Sequence, residues 1–141
     1  MAVLLDTNVV SELIRKAPDP AVEAWAAGYA LEDLFFSAVG EAELRYGAAI
    51  LPVGRRRESL VSEIDAMLLD AFDDRVLPFD SAAARDYADI AAGRRSAGRP
   101  IAPADCQIAA IARCRGMAVA TRNFRDFVDI DVELVDPWTA V

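Results

Sequence analysis

The feature that most constrains the fold is the alternation of short apolar runs with longer segments of helical spacing. Runs that fit buried strands stand at 2–5, 34–37, 76–79, 117–121 and 133–135. Helical segments are predicted between them, at 7–14, 21–27, 38–51, 55–72, 81–97 (with Ser81 as its N-cap) and 104–115. Parallel strands are buried on both faces and joined by helical crossovers, which produces this pattern. We therefore predict an α/β fold with a central, mainly parallel sheet, in a single domain over residues 1–141.

The lack of a recognisable targeting signal and the spacing of the two cysteines predict a cytoplasmic protein. No run approaches the ~18 apolar residues of a membrane span, and the start M-A-V-L-L-D reaches an acid at position 6 without a basic region. Cys106 and Cys114 lie eight apart on one predicted helix. They are then about 12 Å apart, beyond the ~7 Å limit for a disulfide. Free cysteines fit a reducing compartment, and no membrane partner is expected.

The chain contains no histidine, which restricts the chemistry that it can perform. Ser-His and Cys-His catalysis and imidazole-based zinc sites are excluded. Any catalysis must use carboxylates, hydroxyls, arginine or a metal ion. The net charge is −8, so the overall field does not favour nucleic acid, but all bases except Lys16 are arginine. Arginine is the better residue for forked contacts to phosphate.

Asp6 interrupts an apolar stretch, V-L-L-D-T-N-V-V, at residues 3–10. A carboxylate between apolar runs is costly to bury unless a partner compensates for it. In parallel sheets, ligands bind at the carboxyl ends of strands, which is where the predicted strand places Asp6. An N-cap role at the head of the next helix explains the same residue equally well.

Glu43 is a second candidate site residue. On the helix predicted over 38–51 it shares a face with the apolar or small residues Val39, Gly47 and Ile50, whereas Glu41 points elsewhere. The small Gly47 leaves room beside it. The alternative is a residue at the flank of the helix whose carboxylate reaches water.

Asp105 is the third candidate. It begins an apolar stripe that continues through Ile108, Ala109 and Ala112, and Pro103 suits the first turn of that helix. The favourable end of the helix dipole is an alternative reason for an acid there. If the three acids converge, two carboxylates 4 Å apart repel by roughly 4 kcal/mol at an effective dielectric near 20. A hard divalent cation such as Mg²⁺ or Mn²⁺ would relieve that repulsion.

Four motifs, in order along nearly the whole chain, resemble the PIN-domain ribonucleases and, more narrowly, VapC-type toxins including the FitB-like branch. They are L-L-D-T-N-V-V-S-E-L, A-E-L-R-Y-G, A-P-A-D-C-Q-I-A-A-I-A and V-A-T-R-N-F-R-D-F. The resemblance implies a PIN-like α/β/α sandwich and an acidic pocket that binds Mg²⁺ or Mn²⁺. It also implies endonucleolytic cleavage of RNA, a homodimer, and inhibition by a cognate antitoxin.

Carried over residue by residue, the resemblance makes Asp6, Glu43 and Asp105 the catalytic and metal-binding acids. Thr7, Asn8 and Thr121 fall where the family has supporting hydroxyl or amide groups. One position departs from the pattern, because Asn123 stands where many members have an acid, and Asp126 one turn later is a possible substitute. We expect one well-held metal at Asp6 and Asp105, with Glu43 nearby or acting through water.

An acidic pocket also requires cations elsewhere to hold RNA. Candidates near the motifs and the third acid are Arg45, Arg94, Arg95, Arg99, Arg122 and Arg125. The run Arg55–Arg57 is either an outer contact or a solvated surface. Tyr46 either stacks on a base or belongs to the core or a dimer interface.

Two other functions compete with a nuclease. A catalytically impaired PIN-fold binding module, acting through dimer and antitoxin contacts, is favoured only by Asn123. A receiver domain or a haloacid-dehalogenase-type phosphatase also places an Asp after the first strand. The receiver requires a lysine on a late strand and the phosphatase requires D-x-D, whereas this chain has only Lys16 and D-T-N.

Overall fold

A central parallel sheet organises the chain, which a computed structural model describes over residues 1–140. Its strands are β1 Val3–Leu5, β2 Leu34–Ser37, β3 Val76–Leu77, β4 Ala118–Ala120 and β5 Leu134–Val135. They are ordered β3-β2-β1-β4-β5, and each neighbouring pair is parallel. Leu4 in the central strand is in register with Phe35 on one side and Val119 on the other. The predicted α/β class is confirmed.

Helices cover both faces of the sheet. They are α1 Thr7–Ile14, α2 Pro20–Ala27, α3 Ala38–Ala49, α4 Arg55–Ala66, α5 Ser81–Ser96, α6 Pro103–Cys114 and α7 Phe124–Phe127. Side chains alternate along β1, so Val3 and Leu5 join a core with α1 and α2, whereas Leu4 joins a core with α5 and α6. The result is the three-layer α/β/α arrangement. No helix within residues 1–140 is long and apolar enough to cross a membrane.

Most predicted boundaries are correct to within two residues, and the differences have local causes. Asp80, not Ser81, caps α5, because its Oδ1 accepts a hydrogen bond of 3.0 Å from the Ala83 amide. The helix predicted to run to residue 72 becomes a π-helix over Met67–Phe72. This segment ends with Phe72 buried against Phe36, with the ring centroids 5.4 Å apart. The short 3₁₀ turn Leu31–Asp33 and helix α7 were not predicted.

Candidate active site

The candidate site lies beside β1, where the strand order changes from one side of the sheet to the other. From β1 the chain adds β2 and β3 on one side, and it later adds β4 and β5 on the other. Asp6 follows β1 directly and Thr121 follows β4, and these two strands are neighbours. A crevice at such a switch point is the usual ligand site of an open parallel sheet.

Asp6 is buried, with 3% of its surface exposed, and its carboxylate is fixed by three donors. Oδ1 accepts a hydrogen bond of 2.8 Å from the Thr7 amide, which makes Asp6 the N-cap of α1. Oδ2 accepts hydrogen bonds from Thr121 Oγ1 at 2.7 Å and from Asn8 Nδ2 at 3.3 Å. The cap interpretation is therefore correct, and it coexists with a position in the crevice.

The pKa of Asp6 is raised although these donors favour the charged form. Burial is the largest cause, and the hydrogen bonds from Thr121 and Thr7 oppose it. The negative charges of Glu43 and Asp126 raise the pKa further, and no cation among residues 1–140 contributes. Asp6 is thus a well-positioned carboxylate without a protein counter-ion.

Asp105 lies in the first turn of α6, which begins at Pro103, one residue before the predicted start. The apolar stripe behind it is confirmed, since Ile108, Ala109 and Ala112 are fully buried. Burial, and then the charges of Asp6, Asp126 and Glu43, raise the pKa of Asp105 to about 6. Asp105 and Asp6 therefore share one acidic environment, although 99 positions separate them in the sequence.

Glu43 projects from α3 and is exposed. Its Oε1 accepts a hydrogen bond of 2.6 Å from Thr7 Oγ1, which connects α3 to the start of α1. A Cβ at Gly47 would contact nothing, in agreement with the predicted space beside Glu43. The apolar face was overestimated, because Ile50 is 64% exposed. Glu43 both reaches water and faces the other acids.

The supporting residues connect α1 to the loop after β4. Thr121 is fully buried, and its Oγ1 donates to Asp6 and accepts a 3.0 Å hydrogen bond from the Asn123 amide. Asn8 Oδ1 accepts a 3.4 Å hydrogen bond from the Arg122 amide. Asn123 lines the crevice, whereas Asp126 is exposed on α7 and acts on Asp6 and Asp105 through its charge.

A cleft of about 1270 Å³ contains Asp6, Glu43 and Asp105 together. It runs between α1, α3 and α4, and its remaining lining is of mixed character. Five further charged residues line the cleft: Arg15, Lys16, Arg55, Arg56 and Glu63. Sequence analysis did not single out Arg15 or Glu63. Nothing in the spacing of these residues indicates a shared cleft, because they come from two separate segments, the end of α1 and α4.

The donor set of the cleft fits a hard divalent cation. Carboxylate oxygens dominate, and neither histidine nor thiolate lines the cleft. No group of three or more His, Cys, Asp or Glu side chains within residues 1–140 is arranged to hold one ion. Mg²⁺ generally binds through one or two carboxylates and keeps several waters, so Asp6 and Asp105 are sufficient protein ligands for it.

The prediction that Arg94 contacts RNA is wrong. Its side chain is buried, with 7% exposure, and its guanidinium donates to backbone carbonyls. Nε contacts the Arg99 oxygen at 2.7 Å, and Nη1 contacts the oxygens of Asp126 and Val128 at 3.1 and 3.3 Å. Arg94 therefore holds α5 to the loops around it and is not available to a ligand.

The other arginine candidates differ in how far they are engaged. Arg45 forms ion pairs of 2.7 and 2.9 Å with Glu41 and Asp65, and Arg99 pairs with Asp129 at 2.5 Å. The Arg122 guanidinium lies 4.9 Å from the centre of the Trp138 ring. Arg95 and Arg125 are exposed. Tyr46 is 68% exposed, so it does not belong to the core of this chain.

Comparison with known proteins identifies the family. A model described as the PIN domain matches residues 3–133. VapC ribonuclease Y4jK of Sinorhizobium fredii is 43% identical over 96% of this chain and 97% of its own length. Toxin FitB of Neisseria gonorrhoeae is 41% identical over 96% of this chain and 98% of its own length. The crystal structure of FitAcB from Neisseria gonorrhoeae matches with a TM-score of 0.90 and 40% identity, covering 98% of this chain and 99% of that one. Because the matches extend along nearly the whole sequence, the chain belongs to the PIN-domain family and groups within it with VapC- and FitB-type proteins.

Proposed function

We propose that this protein is a Mg²⁺- or Mn²⁺-dependent endoribonuclease and the toxin of a toxin–antitoxin pair. The observation that carries the proposal is the meeting of Asp6, Glu43 and Asp105 in one cleft, where none of the three forms a salt bridge within residues 1–140. Two relatives with the same fold are named a ribonuclease and a toxin, which supports the same activity here.

Asp6 and Asp105 would hold the metal ion. When bound, such an ion would polarise a phosphate oxygen and lower the pKa of a water molecule, which would supply the nucleophile. Asp6 is suited to a fixed role, because Thr7, Asn8 and Thr121 already orient both of its oxygens. Asp105 is less enclosed and approaches the same environment from α6. Asn123 can contribute a carbonyl oxygen but no charge. A second ion would therefore be held weakly, and we propose that the site binds a single ion.

Glu43 is the better of the two candidate general bases. Asp6 has little capacity left to accept a proton from water, since three donors occupy it. Glu43 is exposed, and within residues 1–140 its carboxylate accepts a single side-chain hydrogen bond, from Thr7. The Thr7 hydroxyl then orients Glu43, so that its carboxylate takes the proton of the attacking water. No histidine is needed for this step.

The proposal includes two protein partners and a cytoplasmic location. A cognate antitoxin would place a basic side chain against the acids of the cleft and block it. A homodimer is supported by the exposed apolar side chains Tyr46, Ile50 and Val53 at the end of α3 and just beyond it, which are 64–86% exposed. Sedimentation of the purified chain tests the dimer. The free cysteines Cys106 and Cys114 are consistent with a reducing cytoplasm.

A binding module without catalysis is the second candidate, and Asn123 favours it. The missing charge at this position reduces the attraction for a cation, and a site that holds no metal would act only through its partners. Metal titration of the purified protein separates the two candidates. A site that binds neither Mg²⁺ nor Mn²⁺ at millimolar concentration would favour the binding module.

The decisive experiment incubates antitoxin-free protein with total cellular RNA and Mg²⁺ or Mn²⁺. Asp6→Asn and Asp105→Asn are compared with Glu41→Gln, a matched control two positions from Glu43 whose side chain pairs with Arg45. We expect discrete metal-dependent cuts that both aspartate variants lose and the control retains. Mapping the new RNA ends then identifies the target. Cleavage that survives both substitutions would overturn the site, and no cleavage by folded protein with either ion would overturn the activity.

A further inference from the structure

The cleft that contains the acids also contains a group of cations. Arg15 and Lys16 follow the last turn of α1, and Arg55 and Arg56 form the first turn of α4. Arg15 is partly neutralised by Glu12 at 3.3 Å. Lys16, Arg55 and Arg56 form no ion pair within 4.0 Å among residues 1–140. The cleft is therefore acidic around Asp6 and Asp105 and basic at the start of α4, while Glu63 lines it further along that helix.

Helix stability does not explain the arginines of α4. A helix N-terminus carries partial positive charge, which disfavours cations in the first turn by a few tenths of a kcal/mol each or more. The N-cap is Gly54, which provides no side chain to satisfy the free amides. Arg55 and Arg56 thus stand where the helix itself gains nothing from them. Their exposure and their position on the cleft leave a ligand as the reason for their charge.

The adjacent Arg57 provides an internal comparison. It belongs to the same run of three arginines, but it does not line the cleft. Two of the three side chains thus point toward the space shared with the acids. Because successive residues of a helix point in different directions, Arg57 is a control in the same turn whose side chain lies off the cleft.

Phosphate is the ligand chemistry that fits these cations. The chain carries a net charge of −8, so a polyanion can be held only where cations are concentrated. Guanidinium groups make forked hydrogen bonds to phosphate. The cleft lining includes no aromatic side chain on which a base could stack. The lining therefore favours contact with the backbone of a single strand over recognition of its bases.

We propose that Lys16, Arg55 and Arg56 bind phosphates that flank the scissile bond, so that the RNA strand follows the cleft from the acids to the start of α4. This inference rests on the proposed nuclease function. It assigns the RNA path to a surface other than the arginines near Asp105 and Thr121. These three residues position the substrate and take no part in bond cleavage.

The test compares Arg55→Ala/Arg56→Ala with Arg57→Ala. Binding of a fluorescein-labelled oligouridylate is followed by anisotropy in the Asp105→Asn background with Mg²⁺ present, over a series of salt concentrations. We expect the double variant to bind about tenfold more weakly and its salt slope to fall by about 1.4, since each lost phosphate contact on a single strand contributes about 0.7. Arg57→Ala should retain both values. In the otherwise unmodified protein, the double variant should raise KM and leave kcat within about twofold.

The other outcomes would each contradict a specific part of the proposal. Unchanged binding and KM in a double variant with an unchanged melting temperature would remove the cations from the RNA path while leaving the nuclease intact. An equal loss in Arg57→Ala would indicate a diffuse charge effect. Unchanged RNA binding with weaker antitoxin inhibition would assign the cations to the partner protein. If the unmodified protein neither binds nor cuts RNA, the proposed function itself fails.

Discussion

Asp6 and Arg94 are both buried charges, but their surroundings differ completely. Arg94 is enclosed by backbone carbonyls from three residues, Arg99, Asp126 and Val128, and each is an uncharged acceptor. Asp6 also has three donors, yet burial and then the charges of neighbouring acids raise its pKa. Arg94 is compensated where it lies, whereas the group around Asp6 retains an excess of negative charge.

This difference distinguishes a structural charge from a functional one. A buried charge with matched neutral partners stabilises the fold locally and is costly to remove. A group of like charges destabilises the protein that carries it and is relieved only by a ligand of opposite sign. The stability and activity of variants should therefore change in opposite directions at the two places.

The largest effect is expected on cleavage, from Asp105→Asn. Removing a carboxylate that we propose as a metal ligand, while keeping the side-chain shape, should reduce kcat/KM by about 10³-fold, or about 4 kcal/mol of transition-state stabilisation. The variant should stay folded, because it loses a charge that its neighbours disfavour. Cleavage kinetics and a thermal melt on the same preparation measure both quantities. Loss of folding in this variant would show that Asp105 is compensated in the way Arg94 is.

Arg94→Met should have the reverse effect, with the loss falling on stability. The substitution leaves buried carbonyl groups without donors, and we expect the free energy of unfolding to fall by about 3 kcal/mol. Arg95→Met is the matched control, since Arg95 is the exposed neighbour and should change stability by less than about 0.5 kcal/mol. Urea denaturation followed by circular dichroism gives both values. Equal stability of the two variants would mean that the buried guanidinium contributes nothing.

The stability of the metal-free protein should depend on pH through Asp105. The pKa of Asp105 rises from 3.8 to about 6 on folding, so the folded chain binds this proton more tightly than the unfolded chain. This contribution to the free energy of unfolding is fully present below about pH 4 and is lost as the pH rises through about 6. We expect a loss of about 2 kcal/mol between these limits.

Asp105→Asn removes that contribution, so the difference in unfolding free energy between the two proteins should change with pH over the same window. Denaturation in EDTA at several pH values measures it. Parallel curves for the two proteins from pH 4 to 7 would mean that neither burial nor the neighbouring charges raise the pKa of Asp105. Mg²⁺ should stabilise the unmodified protein at pH 7 and have little effect on the variant.

The sequence predicted the sheet and singled out Asp6 and Asp105 because their signals are local, whereas the role of Glu43 followed from the family resemblance. Each short apolar run indicates a buried strand, and an acid directly after a run or at the head of an apolar stripe is visible from its neighbours. The burial of Arg94 has no such signal, since the carbonyls of Asp126 and Val128 lie 32 and 34 positions away. The relation of Lys16, Arg55 and Arg56 to the acids also depends on helix packing. The N-cap of α5 is Asp80 and not Ser81, because Asp and Ser are both favourable at an N-cap and sequence alone does not separate them.

The smallest effect should come from Thr121, which touches Asp6 but lies too deep to touch a substrate. Its fully buried hydroxyl orients Asp6 Oδ2 at 2.7 Å and lowers the pKa of Asp6 against the effect of burial. Thr121→Val keeps the shape and removes the donor, so we expect a loss of about 1 kcal/mol in stability. The affinity for Mn²⁺ should fall about tenfold, as is usual when an outer partner of a metal ligand is removed.

Thr121→Ser restores a hydroxyl at the same position and should recover most of the Mn²⁺ affinity, whereas a purely steric role would leave Thr121→Val unimpaired and Thr121→Ser impaired. Calorimetric titration with Mn²⁺ separates these results, because it reports on the site without requiring cleavage. Unchanged affinity in Thr121→Val would mean that Thr7 and Asn8 alone hold Asp6 in place. The three hydrogen bonds to Asp6 would then be redundant, and its carboxylate would be compensated more fully than its acidic neighbours suggest.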